Sequence, residues 1–383
     1  MTAPARRGPE LPALTAVRFF AAIVVVAHHY APPPGLPSAW PVRSWLQHGF
    51  VGVSLFFVLS GFVLTYTYAP SSVADTASRK RFWWARLARI YPMHLVGLAL
   101  CAPMIIAARL AKDGLQLGLV KTAIALTVNL TMLGAWLQFA ANGWNDPSWS
   151  LSAEAFFYAC FPFVLARIGG LSRRGLLGVA LAVYAVGMTL PFVFALRAAL
   201  APGDLAPADG VAGLSANLPL FHLHEFVLGM LLCLLRPQLD VAWWSARGRS
   251  IAAASVVVVA VILAFPLRHA LLPLAEGLLA PLFALAILGY SFIPTAEVGW
   301  FGSKTMRLLG GASFSVYILQ KPVFLVLLPA CARLGLASPL LAFGLVTTAL
   351  VVLSCFAFQY IEEPMRRRIL GARAVTPLKV SAP

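Results

Sequence analysis

The chain has 383 residues, of which 60% are hydrophobic and only 11% are charged. Soluble domains carry about a quarter charged residues, so a water-soluble protein of this size could not cover its surface with so few. The formal net charge of +16 comes from basic residues between apolar blocks rather than on one soluble face. This composition indicates an integral membrane protein and argues against nucleic-acid binding.

Eleven apolar segments follow one another, and each is predicted to be helical because lipid offers no partner for a free backbone amide. They cover residues 12–30, 50–69, 83–109, 120–140, 149–167, 175–196, 216–235, 250–266, 270–290, 308–330 and 338–361. Arg6 and Arg7 precede the first segment, which we expect to be a retained span rather than a cleaved signal peptide. We expect one membrane domain over residues 1–383, with a short cytoplasmic tail at 370–383. All five cysteines lie in apolar segments and predict neither a disulfide nor a metal site.

The basic residues predict the orientation of the chain. Clusters of basic residues occur at 79–89, 167–174, 236–249, 304–307 and 366–368. All of them can face the cytoplasm only if both termini do, which demands an even number of crossings. The segment at 120–140, with Asn129 and Gln138, is the best candidate for a segment that does not cross. We therefore predict an all-α polytopic membrane protein with about ten transmembrane helices, one re-entrant or partial segment and both termini cytoplasmic.

Ionisable residues inside a span cost a few kcal/mol and are therefore functional candidates. Arg18 and His29 lie in the first span, eleven residues apart, which puts both on one helix face about 16 Å apart along the axis. The alternative for His29 is an ordinary interfacial position before the loop that contains Pro32. His28 points about 100° away from His29 and is the better interfacial candidate.

The fifth segment carries a second group of polar residues. Ser150, Glu154 and Tyr158 are spaced four apart after Trp149, so the three share one helix face. A carboxylate one turn into a span needs a partner, and His29 or an arginine would serve. The alternative is a carboxylate that the helix dipole favours near the start of a helix.

Polar residues in three further segments are candidates for binding or for packing. Arg86 and Arg89 share a helix face near the cytoplasm and would suit a phosphate group, or serve as membrane anchors. Glu225 and His222 are i,i+3 neighbours, and a packing ion pair is favoured over a metal site. Ser60 interrupts the second span next to a glycine, where small residues let helices approach closely. Polar groups that could line a cavity in the tenth span are Ser313, Ser315, Tyr317 and Gln320.

These residues indicate a bundle with a polar path from an arginine-lined inner mouth to a histidine and a glutamate nearer the outside. Such a path fits a transferase that joins the two sides of the membrane. It fits a transporter or flippase of a lipid-linked sugar nearly as well, although transporters tend to show internal repeats and none is visible here.

Six stretches, in order, resemble motifs of the acyltransferase-3 family of integral membrane O-acyltransferases. They are LTAVRFFAA at 14–22 followed by His29, GVSLFFVLSGF at 52–62, RLARIYP at 86–92, WSLSAEAFFY at 149–158, SFSVY at 313–317 and IEEP at 361–364. Together they cover about residues 11–369. The chain departs from the family pattern at Gln320, where a histidine is usual, and at His222 and His224, where an arginine and a proline are common around Glu225.

The resemblance implies transfer of an acyl group, commonly acetyl from acetyl-CoA, to a hydroxyl group. Acyl-CoA would be a co-substrate, with no permanently bound cofactor. We expect a polysaccharide or glycolipid of the cell surface as acceptor, at the bacterial inner membrane, with a small polyketide or macrolide as the alternative. The esterase-like domain that often follows in the family is not recognised in the sequence, so transfer would finish in the membrane domain or involve a separate protein partner.

The resemblance also implies roles for individual residues. His29 would be the general base on the acceptor hydroxyl, and Glu154 would orient it or balance its charge. A covalent acyl-histidine relay is the alternative chemistry. The donor would be bound by Arg18, Arg86, Arg89 and Tyr91. The residues expected at the substrate are Ser60, Trp149, Ser150, Tyr158, Glu225 and Tyr317.

Overall fold

The computed structural model describes residues 11–30, 41–68, 70–137, 143–200, 217–265, 274–336 and 338–371. These residues form helices and turns, and no strand occurs among them. The helices are α1 (Pro12–Tyr30), α2 (Val42–Gln47), α3 (Val51–Thr67), α4 (Thr76–Asp113), α5 (Leu115–Leu130), α6 (Ser148–Ile168), α7 (Arg173–Leu200), α8 (Pro219–Leu235), α9 (Val241–Ala264), α10 (Ala280–Ser291), α11 (Lys304–Arg333), α12 (Pro339–Ala357) and α13 (Glu363–Leu370). A π-helical turn, Phe358–Glu362, joins α12 to α13.

Each of the eleven predicted apolar segments contains a helix. Within the described ranges, eight helices are long and apolar enough to cross a membrane, and α3, α5 and α10 are shorter apolar helices. The all-helical membrane architecture predicted from the sequence is therefore confirmed. Predicted features that lie outside the described residues are Arg6, Arg7, Pro32, Gln138 and the tail beyond residue 371.

Helix α4 begins earlier than its apolar pattern suggests, because Asp75 caps it. The Asp75 carboxylate accepts hydrogen bonds from the Ser78 backbone N–H at 2.9 Å and from the Ser78 hydroxyl at 2.6 Å. These hydrogen bonds lower the pKa of Asp75 below its usual value. The cap extends the helix over Lys80 and Arg81, which therefore occupy its first turns.

The segment predicted to be re-entrant or partial, 120–140, corresponds to α5 and a short 3-10 turn, Gly134–Trp136. Gly114, with a φ of +77°, reverses the chain so that α5 packs back along α4. The C-terminal end of α5 meets the middle of α4, where His94 Nε2 bonds the Asn129 carbonyl oxygen at 2.8 Å. The chain turns there, and Ser152 of α6 donates to the Met132 carbonyl at 2.5 Å. Helix α5 thus runs along only about half the length of α4.

Glycines bring α3 and α8 into backbone contact. A Cβ added at Gly61 would lie 1.9 Å from the carbonyl oxygen of Phe226, and one added at Gly229 would lie 1.9 Å from that of Val58. No side chain fits at either position, so the two helices cross with their backbones touching. Gly310 lets α11 approach α1 in the same way. Small residues are a common means of close helix packing in membranes, and here they fix the walls of the polar interior.

Helices α1 and α3 are in register at another glycine. A Cβ at Gly52 would lie 3.0 Å from the carbonyl oxygen of Ala21. Ser60 is eight residues further along α3, about 12 Å toward the other end of the bundle. This register places Ser60 on the half of the bundle that holds Arg18.

We expect Gly229→Ala to destabilise the protein, because the added methyl group would collide with the Val58 carbonyl and force α3 and α8 apart. Overpacking of this kind costs about 1–3 kcal/mol. The matched control is Gly178→Ala on α7, where a Cβ would meet nothing within 4 Å. Thermal unfolding in detergent should show a lower Tm for the first variant only, and equal Tm values would contradict this packing.

Candidate active site

The polar side chains of the bundle form two groups at different depths. The inner cluster consists of Arg18, Ser60, Arg86, Arg89, Glu154, Tyr158, Ser315 and Glu362. The outer cluster consists of His29, Ser150, Tyr317 and Gln320. Arg18 and His29 mark the separation, since eleven residues of α1 span about 16 Å.

Glu154 is the acceptor at the centre of the inner cluster. Its Oε1 accepts a hydrogen bond from the Ser60 hydroxyl at 3.0 Å and a second one from the hydroxyl of Tyr158, one turn along α6. Tyr158 is buried and Glu154 is partly buried. Ser150, Glu154 and Tyr158 were predicted to share a helix face, and the Tyr158 hydroxyl bonds the Glu154 carboxylate directly. Ser60 was expected at the substrate, with packing as the alternative; its hydroxyl donates to Glu154, and the close backbone contact is made by Gly61 beside it.

An arginine, rather than His29, provides the charge near Glu154. Arg18 interacts electrostatically with Glu154 and Tyr158, and with the positive charge of Arg86. Among the described residues, the hydrogen-bond partner of His29 is Gln320. These contacts agree with the alternative of an arginine partner for Glu154, and an orienting role of Glu154 on His29 stays a prediction. The partners of Glu154 lie at the level of Arg18.

The two arginines of α4 have different surroundings. Arg89 forms an ion pair with Glu362, which is completely buried. Arg86 donates from Nη2 to the Tyr68 hydroxyl at 3.3 Å, and its guanidinium lies 5.6 Å from the centre of the Tyr68 ring. The Nε–H of Arg86 is buried and has no hydrogen-bond partner among the described residues. Arg86 thus retains an unused donor, whereas Arg89 is held by a carboxylate.

Tyr91 does not join the inner cluster through its hydroxyl. That group donates a hydrogen bond to the Leu130 carbonyl at 3.1 Å, at the end of α5. Its contacts therefore support a role in holding α5 against α4, and they give no support to the prediction that Tyr91 binds the donor.

A groove between α4 and α6 leads to the inner cluster. Its volume is about 860 Å³, and Tyr158 lies in its wall. The residues that line it are Lys80, Arg81, Trp83, Trp84, Arg86, Leu87, Ile90, Met132, Ala155, Tyr158 and Ala159. The basic residues come from the first turns of α4, and the deeper residues are mostly apolar. The groove therefore combines a cationic end with apolar walls and reaches a residue that bonds Glu154.

The outer cluster fixes the protonation pattern of His29. The Gln320 amide nitrogen donates to the Tyr317 carbonyl at 2.8 Å, and a carbonyl can only accept. The other amide atom, Oε1, lies 2.9 Å from His29 Nδ1 and must accept from it. In the neutral imidazole the proton is then on Nδ1, and Nε2 carries the free lone pair. His29 is exposed at the end of α1, while Gln320 is fully buried.

Tyr317 connects the outer cluster to α6. Its hydroxyl lies 2.8 Å from the Ser150 hydroxyl, and Ser150 is one turn above Glu154 on the same helix face. Polar residues thus occur at successive depths between Arg86 at the groove and His29 at the end of α1.

His222 contacts both Trp149 and Glu225. His222 Nδ1 lies 3.3 Å from Glu225 Oε1, and both side chains are buried. The His222 ring packs 5.3 Å from the ring centres of both Trp149 and Phe57. This contact agrees with the packing ion pair that the sequence favoured over a metal site. No group of three potential metal ligands occurs in the part of the chain that the structure describes.

The structure adds residues whose role the sequence did not reveal. Gln320 was noted as a departure from the family pattern and as a polar group that could line a cavity, and the structure shows that it bonds His29. Glu362 was quoted only as part of a terminal motif, yet it binds Arg89. The available signal for Glu362 was a carboxylate at the end of an apolar segment, which needs a cationic partner.

Comparison with known proteins identifies the class of this site. A family model described as an acyltransferase domain, that of the acyltransferase-3 family, matches residues 11–359. The chain belongs to the acyltransferase-3 family, and it is a membrane-embedded O-acyltransferase.

Individual relatives agree with this membership. The chain is 34% identical over 235 residues to acyltransferase MdmB of Streptomyces mycarofaciens. This alignment covers 59% of the chain and 57% of MdmB. It is 26% identical over 334 residues to the exopolysaccharide production protein ExoZ of Rhizobium meliloti, which covers 86% of the chain and 93% of ExoZ. It is 28% identical over 287 residues to BcsY of Komagataeibacter xylinus, named as a membrane-bound transacylase. This alignment covers 74% of the chain and 68% of BcsY. No solved structure matches the chain.

We expect Ser60→Ala to lower acyl transfer, because it removes one of the two hydrogen bonds on the Glu154 carboxylate. Hydrogen bonds to charged groups contribute about 1.5–3 kcal/mol, so a loss of about tenfold or more is expected. The control is Ser54→Ala on the same helix, whose buried hydroxyl has no hydrogen-bond partner among the described residues. Acyl-transfer rates of the purified variants in detergent measure both, and equal rates would contradict the role of Ser60.

Proposed function

We propose that the protein transfers an acyl group, typically acetyl, from acyl-CoA to a hydroxyl group of a cell-surface or exported polysaccharide or glycolipid. The observation that carries this proposal is the hydrogen-bonded pair His29–Gln320 at one end of a polar path whose other end is rich in arginine. The first supplies a base for a hydroxyl acceptor, and the second supplies cations for an anionic donor.

His29 would act as the general base. Gln320 holds its Nδ1–H, so Nε2 is free to take the proton of the acceptor hydroxyl as the oxygen attacks the thioester carbonyl. The C–S bond then breaks, the acyl group stays on the acceptor oxygen, and the proton leaves with the CoA thiol. An imidazole suits this task near neutral pH. Transfer by way of an acyl-histidine would use the same Nε2 atom.

The inner cluster would bind the donor. It holds three guanidinium groups, Arg18, Arg86 and Arg89, against two carboxylates, Glu154 and Glu362. One positive charge is therefore in excess in a region where unpaired charge is costly, and an anionic ligand would relieve it. The unused Nε–H of Arg86 and the basic end of the groove favour phosphate groups.

The path between the clusters would carry the thioester. Its length along α1 is about 16 Å, which the extended pantetheine arm of CoA can span. With the phosphates at Arg86, the acyl carbonyl would reach the level of Tyr317 and His29. Ser150 and Tyr317 would then contact the donor arm or the acceptor hydroxyl.

The proposed membrane arrangement has ten crossings with both termini in the cytoplasm of a bacterial inner membrane. The basic clusters favour this orientation, and the partial course of α5 along α4 favours an even number of crossings. Donor binding would then occur on the cytoplasmic side, and His29 would face the other side. This topology lets a cytoplasmic thioester acylate an acceptor outside.

A saccharide acceptor is favoured by the coverage of the relatives. The match to ExoZ, whose name refers to exopolysaccharide production, extends over nearly the whole of both chains. The match to MdmB has higher identity but covers little more than half of each chain, and its name states no acceptor.

His29→Ala should abolish transfer while the protein still inserts, because no other group of the outer cluster can take the hydroxyl proton. The matched control is His28→Ala, which removes a neighbouring imidazole that bonds the Leu46 carbonyl at 3.0 Å. Transfer of labelled acetyl to surface polysaccharide, with membrane protein quantified in parallel, measures both variants. Full activity of His29→Ala would overturn the proposed mechanism.

Gln320 gives a second test of the same base. Gln320→Leu should lower kcat by about tenfold or more, since it leaves the imidazole without the hydrogen bond that selects its tautomer, while KM for acyl-CoA stays nearly unchanged. Gln320→His should retain most activity, because a ring nitrogen can replace the amide oxygen as acceptor. Equal kcat values for wild type and Gln320→Leu would argue against this role.

A further inference from the structure

Glu362 is a fully buried carboxylate in the one π-helical turn among the described helices. Turns of this kind often occur at functional sites. One of its oxygens pairs with Arg89, and the other accepts a hydrogen bond from the Ser315 hydroxyl of α11 at 2.6 Å. Ser315 is itself fully buried. The carboxylate is therefore fixed from two sides, by α4 and by α11.

Two adjacent glutamates at the end of the π turn have different environments. Glu363, the next residue, pairs with Arg366 and Arg367 on α13 at 2.8 Å. Arg367 is mostly exposed, so these pairs lie at the surface. Adjacent residues of a helix point about 100° apart, so the two carboxylates can face different sides. Within one span, the chain thus presents one carboxylate to the interior and one to surface arginines.

The contact with Glu362 leaves part of Arg89 available. A guanidinium group carries five N–H donors in a planar fork. The ion pair engages one nitrogen, Nη1, and the Arg89 side chain remains 25% exposed. Its other electrostatic neighbours include Arg18, Arg86 and Arg366, all of which are positive. Without a fixed carboxylate, these charges would push the Arg89 side chain away from its neighbours.

We propose that Glu362, held by Ser315, is the positioning residue that fixes Arg89 for contact with the phosphate groups of the acyl donor. This inference rests on the proposed function, because it takes acyl-CoA as the donor. The carboxylate engages Nη1 of the guanidinium and leaves its other N–H donors for an anionic group. Donor binding then depends on a residue almost at the end of the membrane domain, far in sequence from Arg86 and Arg89.

The test compares Glu362→Gln with the control Glu363→Gln in the full-length protein. Glu362→Gln should raise KM for acyl-CoA about tenfold, which equals about 1.4 kcal/mol, with kcat nearly unchanged. Glu363→Gln should leave both constants as in wild type. A merely structural role of Glu362 would instead reduce the amount of folded enzyme and kcat, without a selective effect on KM.

A truncated donor makes the test specific for phosphate. Acyl-pantetheine lacks the phosphate groups that Arg89 would contact, so wild type and Glu362→Gln should use it with the same KM. Ser315→Ala keeps the buried charge but releases the carboxylate, and it should raise KM for acyl-CoA in the same direction. It also serves as the test variant if Glu362→Gln does not fold.

The outcomes separate this inference from the proposed function. An acyl-CoA-dependent wild type whose KM is unchanged in Glu362→Gln and Ser315→Ala would overturn the positioning role alone. So would a KM increase of equal size for acyl-CoA and acyl-pantetheine. A wild type that transfers no acyl group from acyl-CoA would overturn the proposed function itself.

Discussion

The cost of burying charge in a membrane governs the interior of this protein. An ionised side chain inside a bilayer costs several kcal/mol unless it has a partner. Arg18, Arg86 and Arg89 come from two helices, while Glu154 and Glu362 come from two other parts of the chain. The charges can be compensated only if these parts converge at one depth. The same convergence produces a site with an excess of positive charge, which is the property that an anionic donor requires.

Convergence at that depth depends on backbone contacts that only glycine allows. Gly61 brings α3 against α8, and Ser60 beside it points about 100° away, toward Glu154. Two adjacent small residues therefore do different things, since one sets the helix crossing and the other positions a carboxylate. A larger residue at Gly61 would displace Ser60 along with the whole of α3.

The outer end of the path follows a different principle. His29 is exposed and can exchange protons with solvent or acceptor, but its ring is oriented by the buried amide of Gln320. An amide cannot ionise, so it selects the imidazole tautomer without adding charge at this depth. In the proposed mechanism the inner cluster would bind the donor by charge, and the outer cluster would provide a neutral base. Their separation along α1 would let one protein act between two sides of a membrane.

The sequence alone determined the helical class, the approximate position of the apolar helices and the family, because hydrophobic periodicity and motif order are local properties of the chain. It also singled out Arg18, His29, Glu154 and Arg86, because an ionisable residue inside an apolar segment is conspicuous wherever it packs. The sequence could not decide the pairing of these residues. For Glu154 it left His29 and an arginine as alternative partners, because depth in the bundle depends on the register of α1, α3 and α6.

Only the tertiary structure decided the partners, because they join residues far apart in sequence. Gln320 reaches His29 across 291 positions, and Glu362 of the π turn pairs with Arg89 of the distant helix α4. Apolar patterning is compatible with many helix registers, and a shift of one residue rotates a side chain by about 100°. The sequence therefore specified which ionisable groups need a partner. The packing of the helices around their glycines decided which residue each partner is.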